Sequence, residues 1–319
     1  MKAANEITHG GMSGAPRCAV ILAGGDGSRL RSLTRVITGD ERPKQFCPLL
    51  DGETLLDVTR RRVARGVAAE NTYFSLNARH ERYFRSILAD TPQSRLSIQP
   101  ENKGTTPAIL YSLLQVAREH PDATIALFPS DHYFSNDHAF MTNVEKAFAA
   151  AEINPASLVL LGIEPDSAET SYGWIEPHES LFGPLSGSVT RVRRFWEKPT
   201  PKTARELMMR GCLWNSFVMV GKVSTILSMI RRSLPDLFRL FAAALKSKSA
   251  AQEKTAMRSV YVWINESNFS TEVLEKCPEE LYVMRVGDIA WSDLGEPQRV
   301  LGTLNGLGMT PDWMAATAA

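Results

Sequence analysis

Apolar residues in the first half of the chain fall into two alternating patterns. Short apolar runs, of which Cys18 to Ala23 is the first, are typical of strands that are buried on both faces of a sheet. The pattern predicts further strands at Thr72 to Leu76, Arg95 to Gln99, Ala123 to Phe128 and Leu158 to Ile163. Apolar residues at helical spacing lie between them and predict helices at Arg79 to Ala89 and Asp137 to Ala151.

Two further helices are predicted from their first residues. Thr54-Leu-Leu-Asp57 matches a capping box and predicts an arginine-rich helix that extends to about Val67. Thr106-Pro107 predicts another helix, with the threonine as N-cap and the proline in the first turn, where a missing N–H group is tolerated.

The alternation loosens beyond Pro165. Strands are predicted at Val189 to Glu197, Leu213 to Val220 and Leu281 to Val286, and helices at Val223 to Arg232 and Pro235 to Lys246. Because strands that alternate with helices form parallel-type sheets covered on both faces, the sequence predicts an α/β fold. We expect a disordered leader over residues 1–16, a core over residues 17–222 and a mainly helical C-terminal part over residues 223–319.

Composition and charge exclude several classes of protein. The 319 residues include 36 Lys and Arg and 35 Asp and Glu, so the net charge of +1 gives no global attraction for nucleic acid or acidic membranes. No stretch approaches the ~20 apolar residues of a membrane span, and the leader lacks the apolar run of a signal peptide. The cysteines, which are far apart and show no zinc spacing, are Cys18, Cys47, Cys212 and Cys277. We therefore expect a cytoplasmic protein with reduced thiols and a local site for any anion.

A glycine-rich loop follows the first predicted strand. In Leu22-Ala-Gly-Gly-Asp-Gly-Ser-Arg-Leu30, the glycines allow main-chain N–H groups to turn toward phosphate oxygens, and Arg29 adds a fork of donors. Lys44, in Arg42-Pro-Lys-Gln-Phe46, is a point charge on a loop able to fold back over the same site. The loop is not a dinucleotide fingerprint, since Leu30 replaces the third glycine, and the chain contains no P-loop. Alone, these residues indicate either a phosphate-binding loop or a tight turn.

Together, the two segments resemble the signature of the sugar-1-phosphate nucleotidyltransferase family, and Pro43-Lys-Gln-Phe46 is similar to its mannose-1-phosphate guanylyltransferase branch. The resemblance continues in family order through Pro100-Glu-Asn-Lys-Gly-Thr-Thr-Pro-Ala108, Phe128-Pro-Ser-Asp-His132, Tyr172-Gly-Trp-Ile175, Phe195-Trp-Glu-Lys-Pro199, Trp214-Asn-Ser216 and Trp291-Ser-Asp-Leu-Gly295. It implies a Rossmann-like nucleotidyltransferase fold with a mixed, mostly parallel sheet flanked by helices. It also implies a reaction that joins a nucleoside triphosphate to a sugar 1-phosphate and releases pyrophosphate, with Mg²⁺ as the cofactor.

The implied reaction has to bring two anions together. A sugar-phosphate oxygen attacks the α-phosphorus in line, and no side-chain nucleophile or strong base is needed because the attacking group is already an anion. Catalysis is therefore expected to depend on positioning and charge neutralisation. The residues expected to be catalytic are Arg29, Lys44, Asp131, Lys198 and Asp293. Arg29 would hold the leaving β- and γ-phosphates, Lys44 would contact the α-phosphate, and the resemblance implies that Asp131 and Asp293 hold Mg²⁺.

Base selection is expected from the segment between Glu101 and Pro107. The Glu101 carboxylate is able to accept hydrogen bonds from N1–H and N2–H₂ of guanine together, and the main chain near Gly104 and Thr105 is an alternative reader. The complete predicted nucleotide-binding set is Leu22, Ala23, Gly24, Gly25, Gly27, Ser28, Arg29, Lys44, Glu101, Gly104, Thr105, Thr106, Pro107, Ser130 and Asp131.

The second half of the chain is expected to bind the sugar phosphate. The resemblance implies that Glu197 binds sugar hydroxyls and Lys198 the phosphate, while Asn215 is able both to donate and to accept hydrogen bonds. Tyr172-Gly173 would let the chain pass close to the sugar. The predicted sugar-phosphate set is Tyr172, Gly173, Glu197, Lys198, Asn215 and Asp293, so the C-terminal part would complete this site and the metal site.

Four places depart from the family pattern. Ser32 stands where many relatives have proline, and Lys103-Gly104 replaces the commoner Arg-Asn. Phe217 occupies a position where many members have glycine, and Glu296 replaces the first residue of a Ser-Trp pair. These changes leave the charged catalytic set intact and bear on the base and the sugar more than on the reaction.

The leading hypothesis is a guanylyltransferase that makes GDP-mannose from GTP and mannose 1-phosphate, with no nucleic-acid or membrane partner and a homodimer as a possible assembly. The nearest alternative is the same chemistry with another sugar 1-phosphate or another nucleoside triphosphate. A non-catalytic sugar-nucleotide sensor is expected to lack a metal aspartate or Lys44, and none of these is missing. A glycosyltransferase is expected to carry an Asp-x-Asp motif, which Asp131-His-Tyr133 does not supply.

Overall fold

The computed structural model describes residues 15–50, 52–178, 189–247 and 249–317. Residues 1–14, which make up most of the predicted leader, lie outside the described residues. The strands are β1 (Arg17–Leu22), β2 (Thr72–Asn77), β3 (Leu96–Gln99), β4 (Thr124–Pro129), β5 (Tyr133–Phe134), β6 (Leu158–Ile163), β7 (Gly173–Pro177), β8 (Val189–Glu197), β9 (Leu213–Lys222), β10 (Leu281–Val286) and β11 (Trp291–Ser292). The helices are α1 (Arg31–Thr38), α2 (Leu55–Val63), α3 (Glu81–Ile87), α4 (Thr105–Glu119), α5 (Asp137–Ile153), α6 (Pro201–Met209), α7 (Val223–Ser233), α8 (Pro235–Ala244), α9 (Ala250–Trp263), α10 (Pro297–Gly306) and α11 (Asp312–Thr317).

One large sheet organises the described part of the chain. Its strand order is β3-β2-β1-β4-β9-β6-β10-β8-β7, and β7 also pairs with β9. β8 and β9 run antiparallel to their neighbours, whereas the other seven strands share one direction. The predicted α/β class with a mixed, mostly parallel sheet is therefore confirmed.

Helices cover both faces of this sheet because the central strands are apolar on both faces. In β1, Ala19 and Ile21 belong to an apolar layer that contains Val144 of α5, whereas Val20 belongs to a second layer that contains Leu113 of α4. Successive side chains of a strand point to opposite faces, so an unbroken apolar run supplies both layers at once. The two layers fix the strands whose ends carry the candidate site.

The C-terminal part of the chain contributes to the sheet as well as adding helices. β10 lies between β6 and β8, parallel to the first and antiparallel to the second. A third apolar cluster joins the two ends of the chain, with Leu30 and Leu33 packed among Leu294, Val300 and Leu304. The division at residue 222 stays a prediction, and the two parts on either side of it share one sheet.

The starts of two helices test the predicted caps. The Thr54 hydroxyl accepts the N–H of Asp57 at 3.1 Å, as predicted, although α2 ends at Val63 instead of about Val67. Thr106 is not an N-cap, and this prediction is wrong. Gly104 precedes the helix with a φ of +89°, so α4 already begins at Thr105.

Five helices that the sequence analysis leaves unassigned are α1, α6, α9, α10 and α11. Only three of the 14 residues of α9 are buried, and these are Met257, Val260 and Tyr261. So narrow an apolar stripe gives a weak periodic signal, and the helix is held by its packing against α8 instead of by its own pattern. Among the described residues, none of the helices combines the length and the apolar character needed to cross a lipid bilayer.

A buried arginine ties α2 to the start of α5. The Arg62 side chain is 2% exposed, donates from Nε to Asp137 at 2.5 Å and lies 4.8 Å from the ring centroid of Phe134. Burial lowers the pKa of Arg62, and Asp137 opposes that shift. The guanidinium thus depends on one carboxylate for its charge compensation.

We predict that Asp137→Ala lowers the free energy of unfolding by about 3 kcal/mol, because it leaves a buried guanidinium unpaired. Asp236→Ala is the matched control, since Asp236 also lies in the first turn of a helix and also pairs with an arginine. That pair is solvent-exposed, with side-chain exposures of 82% for Asp236 and 78% for Arg239, so little change is expected. Urea unfolding of both variants measures the difference, and equal losses would contradict the prediction.

Candidate functional site

The candidate site lies where β1 and β4 end. These parallel neighbours end at the same edge of the sheet, so the glycine-rich loop and the turn after Pro129 emerge side by side. The N–H of Ser130 donates to the carbonyl of Leu22 at 3.2 Å, and that of Ala23 donates to the carbonyl of Ser75 at 2.8 Å. Main-chain hydrogen bonds therefore fix the first residues of both segments.

The turn at Lys44 packs against the glycine-rich loop. Gly27 has a φ of +58°, and a Cβ added there would lie 2.9 Å from the main-chain nitrogen of Lys44. Glycine thus provides both the left-handed turn and the close approach of the two segments. Gln45, which is 1% exposed, donates from Nε2 to the carbonyls of Ala23 at 3.1 Å and Gly25 at 2.7 Å. The turn folds back over the loop as predicted.

A cavity of about 360 Å³ opens between the loop, this turn and the segment that follows β11. It is lined by Gly27, Ser28, Arg29, Leu30, Lys44, Asp131, His132, Asp293 and Gly295. Six of these residues belong to the predicted nucleotide, metal and catalytic sets. The cavity therefore brings together residues from both ends of the chain.

Lys44 is the buried cation of this cavity. Its side chain is 11% exposed, and the ammonium lies 3.4 Å from Oδ2 of Asp131. The ammonium also donates to the main-chain carbonyl of Asp293 and, at 3.3 Å, to that of Leu294. One side chain thus connects the N-terminal loop, the end of β4 and the segment after β11.

The Asp293 carboxylate has one fully engaged oxygen and one free oxygen. Oδ1 accepts from the hydroxyl of Tyr172 at 3.1 Å, the N–H of Gly295 at 2.9 Å and the guanidinium of Arg299 at 2.8 Å. Oδ2 makes no hydrogen bond to any residue that the structure describes. The protein therefore holds this carboxylate by one oxygen and leaves the other for a ligand.

Asp131 and Asp293 form a donor set that suits a divalent cation. Burial acts to raise the pKa of Asp293, but the neighbouring cations, Lys44 first, lower it below its ordinary value. The group is therefore ionised at neutral pH. Magnesium in proteins is commonly held by one or two carboxylates together with phosphate oxygens, and two carboxylates at one cavity fit that description.

The segment predicted to select the base is tied to the glycine-rich loop. Asn102 donates from Nδ2 to Asp26 at 2.9 Å, and its Oδ1 accepts the N–H of Gly104 at 2.9 Å. Glu101 pairs with the ammonium of Lys103 at 3.3 Å. A base that binds the Glu101 carboxylate therefore competes with that ammonium.

A C-terminal segment around Ser267 covers the start of α4. The N–H of Thr106 donates to the Ser267 carbonyl at 3.1 Å, and the Thr105 hydroxyl accepts a main-chain N–H from the same segment. A Cβ on Gly104 would lie 2.4 Å from the Ser267 carbonyl oxygen. Thr106 and Pro107 are buried. Their contacts with a nucleotide stay predictions, and the segment that covers them was missed by the sequence analysis.

Residues predicted to bind the sugar phosphate lie together at the end of β8. Gly173 pairs with Glu197, and a Cβ on Gly173 would lie 3.0 Å from Oε2 of Glu197. Burial raises the pKa of Glu197, although the Lys198 ammonium at 3.4 Å opposes the shift. The N–H of Lys198 donates to the carbonyl of Tyr172, whose hydroxyl reaches Asp293. This group is therefore linked to the cavity through Tyr172.

Asn215 lies at a bulge in β9. Its Oδ1 accepts the N–H of Phe217 at 3.1 Å, and the hydroxyl of Ser216 donates to the carbonyl of Leu161 at 2.6 Å. Phe217 has a φ of +61°, in the left-handed region that favours glycine, and glycine is the residue that the family resemblance implies at this position. The Asn215 oxygen is thus used within the protein, while its Nδ2 makes no hydrogen bond to a described residue.

The structure divides the predicted site residues into three groups. Residues predicted to bind phosphate and metal meet in the cavity. Glu101 and Gly104, predicted to read the base, and Glu197, Lys198 and Asn215, predicted to bind the sugar phosphate, lie outside its lining. Arg299 was missed because it follows the last recognised motif by four residues. Its spacing of six residues from Asp293 gave no sequence signal, and only the fold brings the two together.

His132 was also missed, although it lies in a recognised motif. Its side chain is 13% exposed, lies beside Asp131 and packs edge-on against Trp291, with ring centroids 5.4 Å apart. Burial lowers its pKa to about 4, so the ring is neutral at pH 7. It therefore serves as an uncharged wall of the cavity and does not add to its positive charge.

Comparisons with known proteins identify the family that the chain resembles. The model of the nucleotidyl transferase family matches residues 18–305. Mannose-1-phosphate guanylyltransferase 2 of Escherichia coli O157:H7 is 31% identical over 307 residues, which cover 90% of this chain and 60% of the relative. The xanthan biosynthesis protein XanB of Xanthomonas campestris is 30% identical over 284 residues, which cover 86% of this chain and 57% of the relative. The chain thus spans at most 60% of the length of these two curated relatives.

Solved structures share the fold. One described as a mannose-1-phosphate geranyltransferase from Thermus thermophilus has a TM-score of 0.75 and 30% identity, and the match covers 88% of this chain and 76% of that chain. A structure of HddC from Yersinia pseudotuberculosis complexed with GMP-PN has a TM-score of 0.53 and 18% identity, and it therefore shows the fold alone.

We predict that Gly27→Ala lowers the free energy of unfolding by at least roughly 1–2 kcal/mol, the typical penalty for a left-handed residue with a side chain. The added methyl group would also force the Lys44 turn away from the loop. Gly25→Ala is the control in the same loop, because a Cβ there would meet nothing within 4 Å. Equal denaturant midpoints for the two variants would refute this account of the loop.

Proposed function

The chain belongs to the nucleotidyl transferase family, and we propose that it transfers a guanylyl group from GTP to mannose 1-phosphate, giving GDP-mannose and pyrophosphate. The observation that carries the proposal is the cavity in which the glycine-rich loop, Lys44 and two aspartates converge. Relatives named as mannose-1-phosphate guanylyltransferases, at 31% and 30% identity, support the choice of base and sugar. The cytoplasmic location and the homodimer stay predictions.

The proposed reaction forms one phosphorus–oxygen bond and breaks another. An oxygen of the sugar 1-phosphate attacks the α-phosphorus, and the bond to the β-phosphate breaks as pyrophosphate leaves from the opposite side. Protein cations lower the barrier by offsetting the repulsion between the two anions. Lys44 is buried at the cavity, where its ammonium would stabilise the negative charge that develops around the α-phosphate.

Arg29 is suited to the leaving pyrophosphate. Its side chain is 58% exposed and pairs only loosely with Glu296, at 3.4 Å. A planar guanidinium binds phosphate oxygens with two parallel hydrogen bonds, so the triphosphate would compete successfully for it. Glu296, one of the departures from the family pattern, would then keep Arg29 near the cavity before the nucleotide binds.

Asp131 and Asp293 would hold Mg²⁺. Bound there, the ion would neutralise charge on the phosphates and help to orient them. The residues fit this role because both carboxylates face the cavity and Oδ2 of Asp293 is free of partners within the described residues.

The sugar 1-phosphate would approach from the side of β8. Lys198 would offset the charge of its phosphate, and the half-buried Glu197 would accept hydrogen bonds from sugar hydroxyls. The Asn215 amide group, which donates to none of the described residues, would serve a further hydroxyl. The proximity of Tyr172 to both Lys198 and Asp293 supports a common site for the two substrates.

Pyrophosphate release over a grid of nucleoside triphosphates and sugar 1-phosphates, with and without Mg²⁺, tests the proposal. We expect the highest kcat/KM for GTP with mannose 1-phosphate and loss of turnover when divalent ions are removed. A different preferred pair would retain the chemistry and reject the proposed substrates. Nucleotide binding without turnover anywhere on the grid would favour a sugar-nucleotide sensor.

We predict that Lys44→Met lowers kcat by roughly 10²- to 10³-fold, the usual effect of removing one donor to developing charge. Lys222→Met is the matched control. The Lys222 ammonium also donates to a main-chain carbonyl, that of Asp122 at 3.0 Å. Lys222 lies opposite the first residue of β4, so it is at the other edge of the sheet from the cavity. Near-normal turnover of the Lys44 variant would remove this residue from the mechanism.

A further inference from the structure

We propose that Arg299 is a positioning residue that fixes the Asp293 carboxylate for metal binding. This inference rests on the proposed function, because it concerns the residue that would hold Mg²⁺. Arg299 lies on α10, beyond the last recognised motif, and it touches neither the glycine-rich loop nor Lys44 in any described contact. Its effect would therefore pass through Asp293.

Arg299 is anchored on three sides. Nη1 donates to Oδ1 of Asp293 at 2.8 Å, while Nη2 donates to Oε2 of Glu169 at 2.6 Å and to the hydroxyl of Ser171 at 2.7 Å. The guanidinium carbon lies 4.5 Å from the ring centroid of Tyr172. A guanidinium held at both terminal nitrogens and against an aromatic face has little freedom to rotate, so the carboxylate bound to Nη1 shares its fixed orientation.

Asp293 is fixed by these contacts in one rotamer. Its Oδ1 accepts three hydrogen bonds, from Arg299, Tyr172 and Gly295. A Cβ on Gly295 would lie 2.4 Å from Oδ2, so a side chain there would obstruct the free oxygen. The carboxylate is thus locked on one side and clear on the other, which is the arrangement that a preorganised metal ligand requires.

The same network holds the segment before β7. Oε1 of Glu169 accepts the N–H groups of Thr170 and Ser171, each at 2.8 Å, so Glu169 fixes the turn that leads to Tyr172. Oε2 of the same carboxylate binds Arg299. The pair of Arg299 and Glu169 therefore holds both the Asp293 carboxylate, which would bind the metal, and the turn before β7.

Geometry, and not charge, is the expected contribution of Arg299. A cation near a metal site repels the metal, but Glu169 pairs with Arg299 and offsets its charge. Arg299→Lys retains the positive charge and loses the planar guanidinium. A lysine ammonium cannot hold the Asp293 and Glu169 carboxylates in the same fixed geometry. A change in metal affinity in this variant therefore reports the lost orientation.

The experiment measures Mn²⁺ binding by electron paramagnetic resonance, with the full chain alone and with a non-hydrolysable GTP analogue. Arg299→Lys should weaken Mn²⁺ binding roughly 10- to 100-fold, as is usual for partners of metal ligands. The Mg²⁺ concentration for half-maximal turnover should rise by a similar factor, and kcat at saturating Mg²⁺ should recover. Recovery at high metal separates a positioning role from general damage to the fold.

Arg95→Lys is the matched control. Arg95 has a side-chain exposure of 15% against 16% for Arg299, lies 4.6 Å from the ring centroid of Tyr73 and pairs with Glu119. It precedes β3, at the edge of the sheet away from the cavity. It should lose comparable stability in thermal unfolding and keep wild-type Mn²⁺ affinity.

Three outcomes would overturn the inference. Mn²⁺ affinity of Arg299→Lys within about twofold of wild type would reject the positioning role and leave the proposed function standing. An equal loss of affinity in Arg95→Lys would assign the effect to the whole fold. Wild-type protein that binds no Mn²⁺, with or without the analogue, would reject the metal site of the proposed function and this inference with it.

Discussion

The candidate site depends on one ammonium group that closes a contact between the two ends of the chain. Lys44 donates to main-chain carbonyls of Asp293 and Leu294, at a sequence separation of 249 and 250 residues. The same ammonium lies beside Asp131, so it holds together the Lys44 turn, the end of β4 and the segment after β11. Leu30 and Leu294 belong to one apolar cluster, so apolar packing also joins these two parts of the chain. The cavity is therefore a product of long-range packing, and the glycine-rich loop alone would not form it.

Glycine and strained residues are found where segments approach one another. Gly27 admits the Lys44 turn, and Gly104 admits the Ser267 carbonyl. Phe217 adopts a left-handed conformation that glycine would adopt freely, and it does so beside Asn215. Such a conformation persists only where its surroundings determine it, as the Asn215 and Ser216 side chains do here. Side-chain hydrogen bonds thus hold the backbone around Phe217 in a conformation that the sequence alone would not indicate.

Sequence patterns predicted the parts of the fold that each carry a strong local signal. The apolar runs of β1, β4 and β6, the Thr54 cap and the helix α5 lie where they were predicted. The helix α9 was missed because its apolar stripe is narrow, and the strand β7 was missed because it begins with glycine and ends with proline, which are both rare in strands. Of the nine residues that line the cavity, six were named from the recognised motifs, whereas His132 was not, although it lies in one of these motifs. The Ser267 segment contacts Thr106 across 161 residues of the chain, and no local sequence pattern indicates such a contact. Arg299 reaches Asp293 from a helix across the turn that precedes it, and this contact has no local pattern either.

The position of β10 has a consequence for how the chain reaches its fold. This strand lies between β6 and β8, although more than eighty residues separate it from either of them along the chain. During synthesis, β6 and β8 therefore leave the ribosome with unpaired edges facing a gap that only a later strand fills. Open edges are sites of aggregation, and sheets that close by non-local pairing form slowly. The growing chain therefore keeps these two edges open until β10 has been synthesised.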